Sequence, residues 1–176
     1  VKIAQDELQA PMVRAAACAY LGAYNLPETS LALRSLMGHS DPLIRLYAAR
    51  SFNPGSVEEV KNTYLPLLAD PVSSVRMEAS FHLSHIIPEV TDSIQRRALM
   101  NGLNEYEASM KYSADFAASR HNLGNLYQKL GRMADAEKQF RAALQIDNRF
   151  YPAKVNLANL MNLMGNAAKF TESGAI

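Results

Sequence analysis

Apolar and polar positions in the first half of the chain recur with a long period. An apolar–arginine pair appears as Val13-Arg14, Ile44-Arg45 and Val75-Arg76, each 31 residues after the last. The register extends beyond the pair: Ala17, Ala48 and Ala79 coincide, then Cys18, Ala49 and Ser80, then Leu21, Phe52 and Leu83. Small or apolar residues three, four and seven places after each arginine make one stripe of an amphipathic helix. Pro11 and Pro42 keep the spacing, while Pro71 comes two residues early because Ser73-Ser74 lengthen that helical turn. Asp41-Pro42 and Asp70-Pro71 predict helix starts, each a carboxylate N-cap before a proline at the first helical position. A preceding helix is expected in each unit, over 28–37 ending at Gly38 and over 57–69 after Pro54-Gly55. Ser56 and Glu59 have the spacing of a capping box, and Pro66 should bend the helix that follows. Two helices per period, three times over, predict an all-α fold: an α-solenoid, or superhelix, of antiparallel helix pairs.

The run Asp70-Pro71-Val72-Ser73-Ser74-Val75-Arg76-Met77-Glu78-Ala79 resembles the second helix of HEAT-type repeats, and the resemblance covers about residues 5–87. It implies a structural ladder between neighbouring repeats, with Asp70, Arg45 and Arg76 as its rungs. The first unit departs from the pattern, with Leu8 where the aspartate would stand.

The second half changes period. From Ala117 to Phe150 the chain reads AASRHNLGNLYQKLGRMADAEKQFRAALQIDNRF. Gly124 and Ala136 are small enough for two helices to approach closely, Tyr127 and Phe140 are large enough to fill the gap, and Gly131 suits a helix end. With Leu123 and Ala143, these positions resemble a tetratricopeptide repeat (TPR) of 34 residues, with Arg120 replacing the usual tryptophan and Asn148 the usual proline. One period later Asn156-Leu157-Ala158-Asn159 repeats Asn122-Leu123-Gly124-Asn125, and Gly165 repeats Gly131. The second helix of that unit is expected to dissolve in Asn166–Ile176, with Phe170 at a small-residue position. One period earlier Gly102, Tyr106 and Ser109 echo Ala136, Phe140 and Ala143, which predicts a closing helix over 93–112 started by Thr91 or by Asp92 with Gln95. The expected division is therefore 1–92 (HEAT-like) and 93–176 (TPR-like), joined through Pro88–Asp92 as one continuous superhelix.

Composition narrows the function by exclusion. The 176 residues are 48% apolar and 20% charged, with a net charge of +1. That balance lacks the basic surplus of a nucleic-acid binder. No apolar run approaches membrane-spanning length, so no membrane insertion is expected. One cysteine, Cys18, leaves no CxxC pair, and its place on the apolar stripe suggests a buried thiol. His82 and His85 share a helix face, but no nearby carboxylate completes a ligand set, so no metal is expected. Glu58-Glu59 and the Glu105/Glu107 pair read as solvated charge. With no catalytic constellation, the chain is read as a non-enzyme without a cofactor. Val1 is followed by no basic-then-apolar leader, and the chain is read as a segment of something longer.

The polar face of the TPR-like helix is more informative. His121, Asn122, Asn125, Gln128 and Lys129 recur at helical spacing, and Asn156, Asn159 and Asn162 continue them on the next helix. An asparagine offers both donor and acceptor to the amides of an extended strand. The TPR resemblance implies that this face lines a concave groove for a protein or peptide partner. There Asn125 and Asn159 resemble an asparagine pair that clamps a terminal carboxylate, with His121 where a lysine is usual. The whole order of repeats is similar to the C-terminal region of exported bacterial multihaem c-type cytochromes. That similarity implies a docking region with no haem of its own and a periplasmic location; without it a cytoplasmic one is expected. Exposed solenoid ends make self-association a further expectation, since Asn166–Ile176 is a poor cap.

Overall fold

Each arginine of the 31-residue pattern becomes the fourth residue of a helix. The computed structural model describes residues 1–24 and 26–172, with side chains as far as 165, and among these there is no strand. The helices are α1 (Lys2–Gln5), α2 (Pro11–Leu21), α3 (Pro27–Leu36), α4 (Pro42–Ser51), α5 (Val57–Tyr64), α6 (Ser73–Leu83), α7 (Ser93–Tyr112), α8 (Ala117–Lys129), α9 (Met133–Ile146) and α10 (Tyr151–Glu172). Single 3-10 segments, Pro66–Ala69 and Ser84–Glu89, follow α5 and α6. The fold is all-α and built of helical repeats. Backbone contacts divide it into two units, Val1–Tyr106 and Glu107–Ile176, with the boundary inside α7.

In the first unit α2, α4 and α6 pack on one another in succession, with α3 against α4 and α5 against α6. Small residues let these helices approach. Cys18, Ala49 and Ser80, equivalent in the repeat, are all fully buried, as are Ala48 and Ala79. Leu21, Phe52 and Leu83 fill the next turn. Val13 is 46% exposed where its counterparts Ile44 and Val75 are sealed. Tyr64 is fully buried at the end of α5, and its hydroxyl donates to the Ala49 and Phe52 carbonyls at 2.9 and 3.2 Å, satisfying the last turn of α4. Asn53 repeats the period directly, its Nδ2 donating to the Gly22 carbonyl at 2.8 Å.

The arginines fold back over the turns that precede their helices. Arg45 Nη1 donates to the His39 and Ser40 carbonyls at 2.9 and 2.8 Å, and Arg76 Nη1 to those of Asp70 and Pro71 at 2.8 and 3.1 Å. Arg96, fourth in α7, does the same to Val90 at 3.0 Å through Nε and to Ile87 at 3.0 Å through Nη2. Arg14 reaches the Ala4 carbonyl at 3.0 Å. Side chains near a helix start lean towards its N-terminus, so a long donor at the fourth position meets turn carbonyls that would otherwise be orphaned. Two of these guanidiniums also hold carboxylates from farther along the chain. Arg45 grips Asp70 through Nε and Nη2 at 2.7 and 2.9 Å, and Arg76 Nη2 binds both Glu105 oxygens at 2.9 and 3.0 Å. Burial works to raise the Asp70 pKa, but Arg45 and the Val72 N–H outweigh it and hold the carboxyl below its ordinary 3.8.

Several sequence expectations are corrected. Asp41 caps α4 by accepting from Leu43 N–H at 2.8 Å, but Asp70 caps nothing: it accepts from Val72 N–H at 2.8 Å in a turn, and α6 starts at Ser73. The two extra residues therefore lie before the helix, which keeps Arg76 at its fourth position. Pro66 does not bend a helix over 57–69; α5 ends at Tyr64 and the chain continues as a 3-10 segment. The capping box is reciprocal across one more residue than expected. Ser56 Oγ accepts from Glu59 N–H at 3.1 Å, while Glu59 accepts from Gly55 N–H at 2.7 Å. Helix α7 spans 93–112 as read, with Asp92 accepting from Gln95 N–H at 2.8 Å. Gly165 ends no helix, because α10 runs through it to Glu172. The Phe170 side chain and the capping face of Asn166–Ile176 lie outside the described residues.

Gly102 carries α7 onto α6. A Cβ there would stand 2.0 Å from Ser80 Oγ and 3.2 Å from the Arg76 carbonyl. Ser80 Oγ is itself buried without a hydrogen-bond partner. Gly102→Ala should therefore cost about 2 kcal/mol in urea unfolding, and Ser80→Ala, neutral or stabilising alone, should recover roughly half of that loss.

Candidate functional site

The second unit is assembled around a close approach of two helices. Gly124 on α8 lies under the Phe140 ring of α9, and a Cβ at Gly124 would sit 2.5 Å from that ring. Phe140, Ala136 and Ala143 are fully buried, and Leu123 and Tyr127 nearly so. Gly131 has φ 72° and turns the chain between the two helices. Ala117, Ala143 and Ala153 then let α8, α9 and α10 meet, with Phe150 and Leu144 packed around them.

Arg120 works as the arginines of the first unit do. It is fourth in α8, and its Nε donates to the Ala114 carbonyl at 2.8 Å while Nη1 reaches Gln139 Oε1 at 3.0 Å. Tyr127 is locked at its hydroxyl, which donates to Glu107 at 2.9 Å, and at its ring, over which the Arg132 guanidinium lies 4.2 Å from the centroid.

This framework sets the polar faces of α8 and α10 against each other. His121, Asn125 and Gln128 stand four and three residues apart on α8, all half-buried. From α10, Asn156 Nδ2 donates to Asn125 Oδ1 at 2.7 Å and lies 3.0 Å from His121 Nε2, which accepts as a neutral imidazole. The His121 ring is braced by Phe140 and Phe150, with centroids 5.8 and 5.5 Å away. Burial is the larger influence on His121 and takes its pKa below the ordinary 6.5, against a hydrogen bond with Asn122. Asn125 thus engages Asn156 directly, and Asn159, the expected member of its pair, is exposed one turn farther along α10.

Elsewhere the structure gives partners to groups read as solvated. Glu105 holds Arg76, Glu59 lies 3.4 Å from Arg34, and Glu107 binds Lys111 at 2.6 Å as well as Tyr127. Glu78 stands one turn before His82 and pairs with it without completing a metal-ligand set. Buried Glu78 receives Arg50 at 2.9 Å and lies 3.4 Å from His82, whose ring stacks on Tyr64 at 4.4 Å. Among the described residues no group of three or more His, Cys, Asp or Glu side chains is placed to hold a metal ion. Cys18 is fully buried, and burial raises its thiol pKa. No described helix is long and apolar enough to cross a membrane.

Residues 115–172 match the family model described as Tetratricopeptide repeat. The match spans α8, α9 and α10 as far as Glu172, a minority of the chain. No curated protein and no solved structure matches it. Tetratricopeptide repeats generally mediate protein–protein interaction, and the His121–Asn125–Asn156 cluster lies inside the matched segment.

Because the TPR segment keeps His121 neutral where the unfolded chain takes up a proton, its contribution to stability falls as pH drops below 6.5. Thermal unfolding should show this acid-side loss in the native chain between about pH 7 and about pH 5. His121→Asn should flatten the slope across the same window.

Proposed function

We propose that the chain is a non-catalytic helical-repeat module that holds an extended segment of a protein partner along the polar faces of α8 and α10. The observation that carries this reading is the hydrogen-bonded cluster His121–Asn125–Asn156, with Asn122, Gln128 and Asn159 beside it. Side chains three or four residues apart on a helix lie about 5–6 Å from one another. Like-facing amides of an extended strand recur about every 6.6 Å, so successive groups on α8 can meet successive peptide groups.

The cluster also explains how such a surface is ready to bind. Asn156 fixes the Asn125 carbonyl and the His121 ring by intramolecular bonds, so their side-chain entropy is spent before a peptide arrives. Asn159 and Gln128 remain at the accessible margins, able to donate and accept. Uncharged amides suit backbone recognition, and the contacts so formed would vary little with salt.

Panning a phage-displayed library of unstructured peptides on the immobilised chain tests the reading. Selected peptides should shift amide resonances on α8 and α10, and Asn125→Ala with Asn159→Ala should weaken them about tenfold while the thermal midpoint holds. Peptides whose affinity is untouched by both changes would place binding elsewhere.

A further inference from the structure

An unmet hydroxyl stands beside an open cleft in the first unit. The cleft, about 350 Å3, lies between the end of α3 and the end of α5, and its walls include Arg34, Met37, Asn62, Thr63, Pro66 and Leu67. Thr63 is 8% exposed, and its Oγ1 is buried without a hydrogen-bond partner. A threonine within a helix ordinarily bonds the carbonyl one turn back or turns its hydroxyl to water; with neither, the group destabilises the fold. Among the described residues Ser80 is the other such hydroxyl, and the approach of Gly102 shuts it in. Thr63 borders open space instead. Threonine has two rotamers open to it on a helix, so one χ1 step exchanges its methyl and its hydroxyl.

Arg34 supplies a charge at the same cleft. Its side chain is 46% exposed, and its one hydrogen bond among the described residues runs from Nη1 to Glu59 at 3.4 Å, the long end of such bonds. Glu59 has a closer partner in the Gly55 N–H, at 2.7 Å. Nε and Nη2 of Arg34 are therefore open to a second carboxylate, which a guanidinium receives as a fork. Asn62 Nδ2 donates to Glu58 at 3.1 Å and has a further N–H to give. No carboxylate is among the described residues lining the cleft, and its base is apolar, made by buried Met37 and Leu67 with Pro66 beside them. Donors on the wall and hydrocarbon below suit a molecule with a carboxylate at one end and a short apolar tail at the other. The volume is at the small end of the range for ligand sites, about 300–1,000 Å3, which favours a free acid over a length of chain. We propose that this cleft binds a small aliphatic carboxylic acid. Arg34 and the rotated Thr63 hydroxyl take the carboxylate, and the tail lies on Met37, Pro66 and Leu67. The site is independent of the polar faces of α8 and α10.

The probe is 4-methylpentanoate, titrated into the 15N-labelled full chain. Saturable amide shifts at Arg34, Gly38 and Thr63 are expected, with a Kd of about 1 mM. The uncharged 4-methylpentanamide should bind about tenfold more weakly, and Arg34→Gln should weaken the acid to the same degree. Thr63→Val separates the site from the scaffold: it should raise the thermal midpoint by removing the unmet hydroxyl, yet weaken the acid about fivefold. Glu59→Gln, which can still accept from Gly55, should tighten binding by releasing Arg34. No shifts up to about 20 mM acid would overturn the proposal, as would affinity indifferent to Arg34→Gln or to Thr63→Val. An N-acetylated tetrapeptide ending in leucine that binds about tenfold tighter than the free acid would assign the cleft to a chain terminus and equally overturn a small-molecule site.

Discussion

A guanidinium at the fourth position of a helix, turned back onto the carbonyls of the turn before it, is the interaction on which both units rely. Arg45, Arg76, Arg96 and Arg120 all donate to the carbonyl six residues upstream. A tight turn between helices leaves carbonyls facing inwards, where an unmet acceptor is expensive. Arginine meets several at once with one planar fork, which lysine cannot do. A cation near a helix N-terminus is unfavourable by itself, and Asp70 and Glu105 offset that cost in the first unit. Those carboxylates come from the next period, so the bond that closes one turn also sets the position of the element after it.

Small residues supply the complementary constraint. Ala49 and Ser80 in the first unit, and Gly124 with Ala136 in the second, bring helix backbones close enough for one large side chain to occupy each gap. Tyr64 and Phe140 are those side chains, both fully buried. In the second unit this approach holds α8 and α10 so that Asn156 spans to Asn125 and His121. The polar cluster on α8 and α10 is thus a product of apolar packing behind it, and of Arg120 and Tyr127 anchoring the ends of α8.

Much of the fold was legible because the periods were strict. The 31-residue register of Arg14, Arg45 and Arg76 and the TPR pattern from Leu123 to Ala143 located the helices, including α7 over 93–112. The arginines of the later helices were harder to see. Arg96 has no apolar neighbour in register, and Arg120 reads as a departure from a tryptophan, yet each is fourth in its helix and makes the same bond. Helix starts were less legible: Asp70 holds a turn rather than a cap, and only the geometry separates the two. The polar positions of α8 and α10 were readable by residue type and spacing, but the bonds among them were not. Asn125 meets Asn156, because the facing of α8 and α10 depends on Ala117, Ala143 and Ala153, which no polar pattern reports.

If turn closure by the arginine fork is the governing constraint, charge alone cannot replace it. Urea unfolding of Arg45→Lys is the most direct measurement, since lysine keeps the attraction to Asp70 but cannot also serve the His39 and Ser40 carbonyls. A loss of about 2–3 kcal/mol, close to that of Arg45→Met, is the expected result. Stability within about 0.5 kcal/mol of the native chain would contradict it, leaving the ion pair with Asp70 as the whole of the interaction.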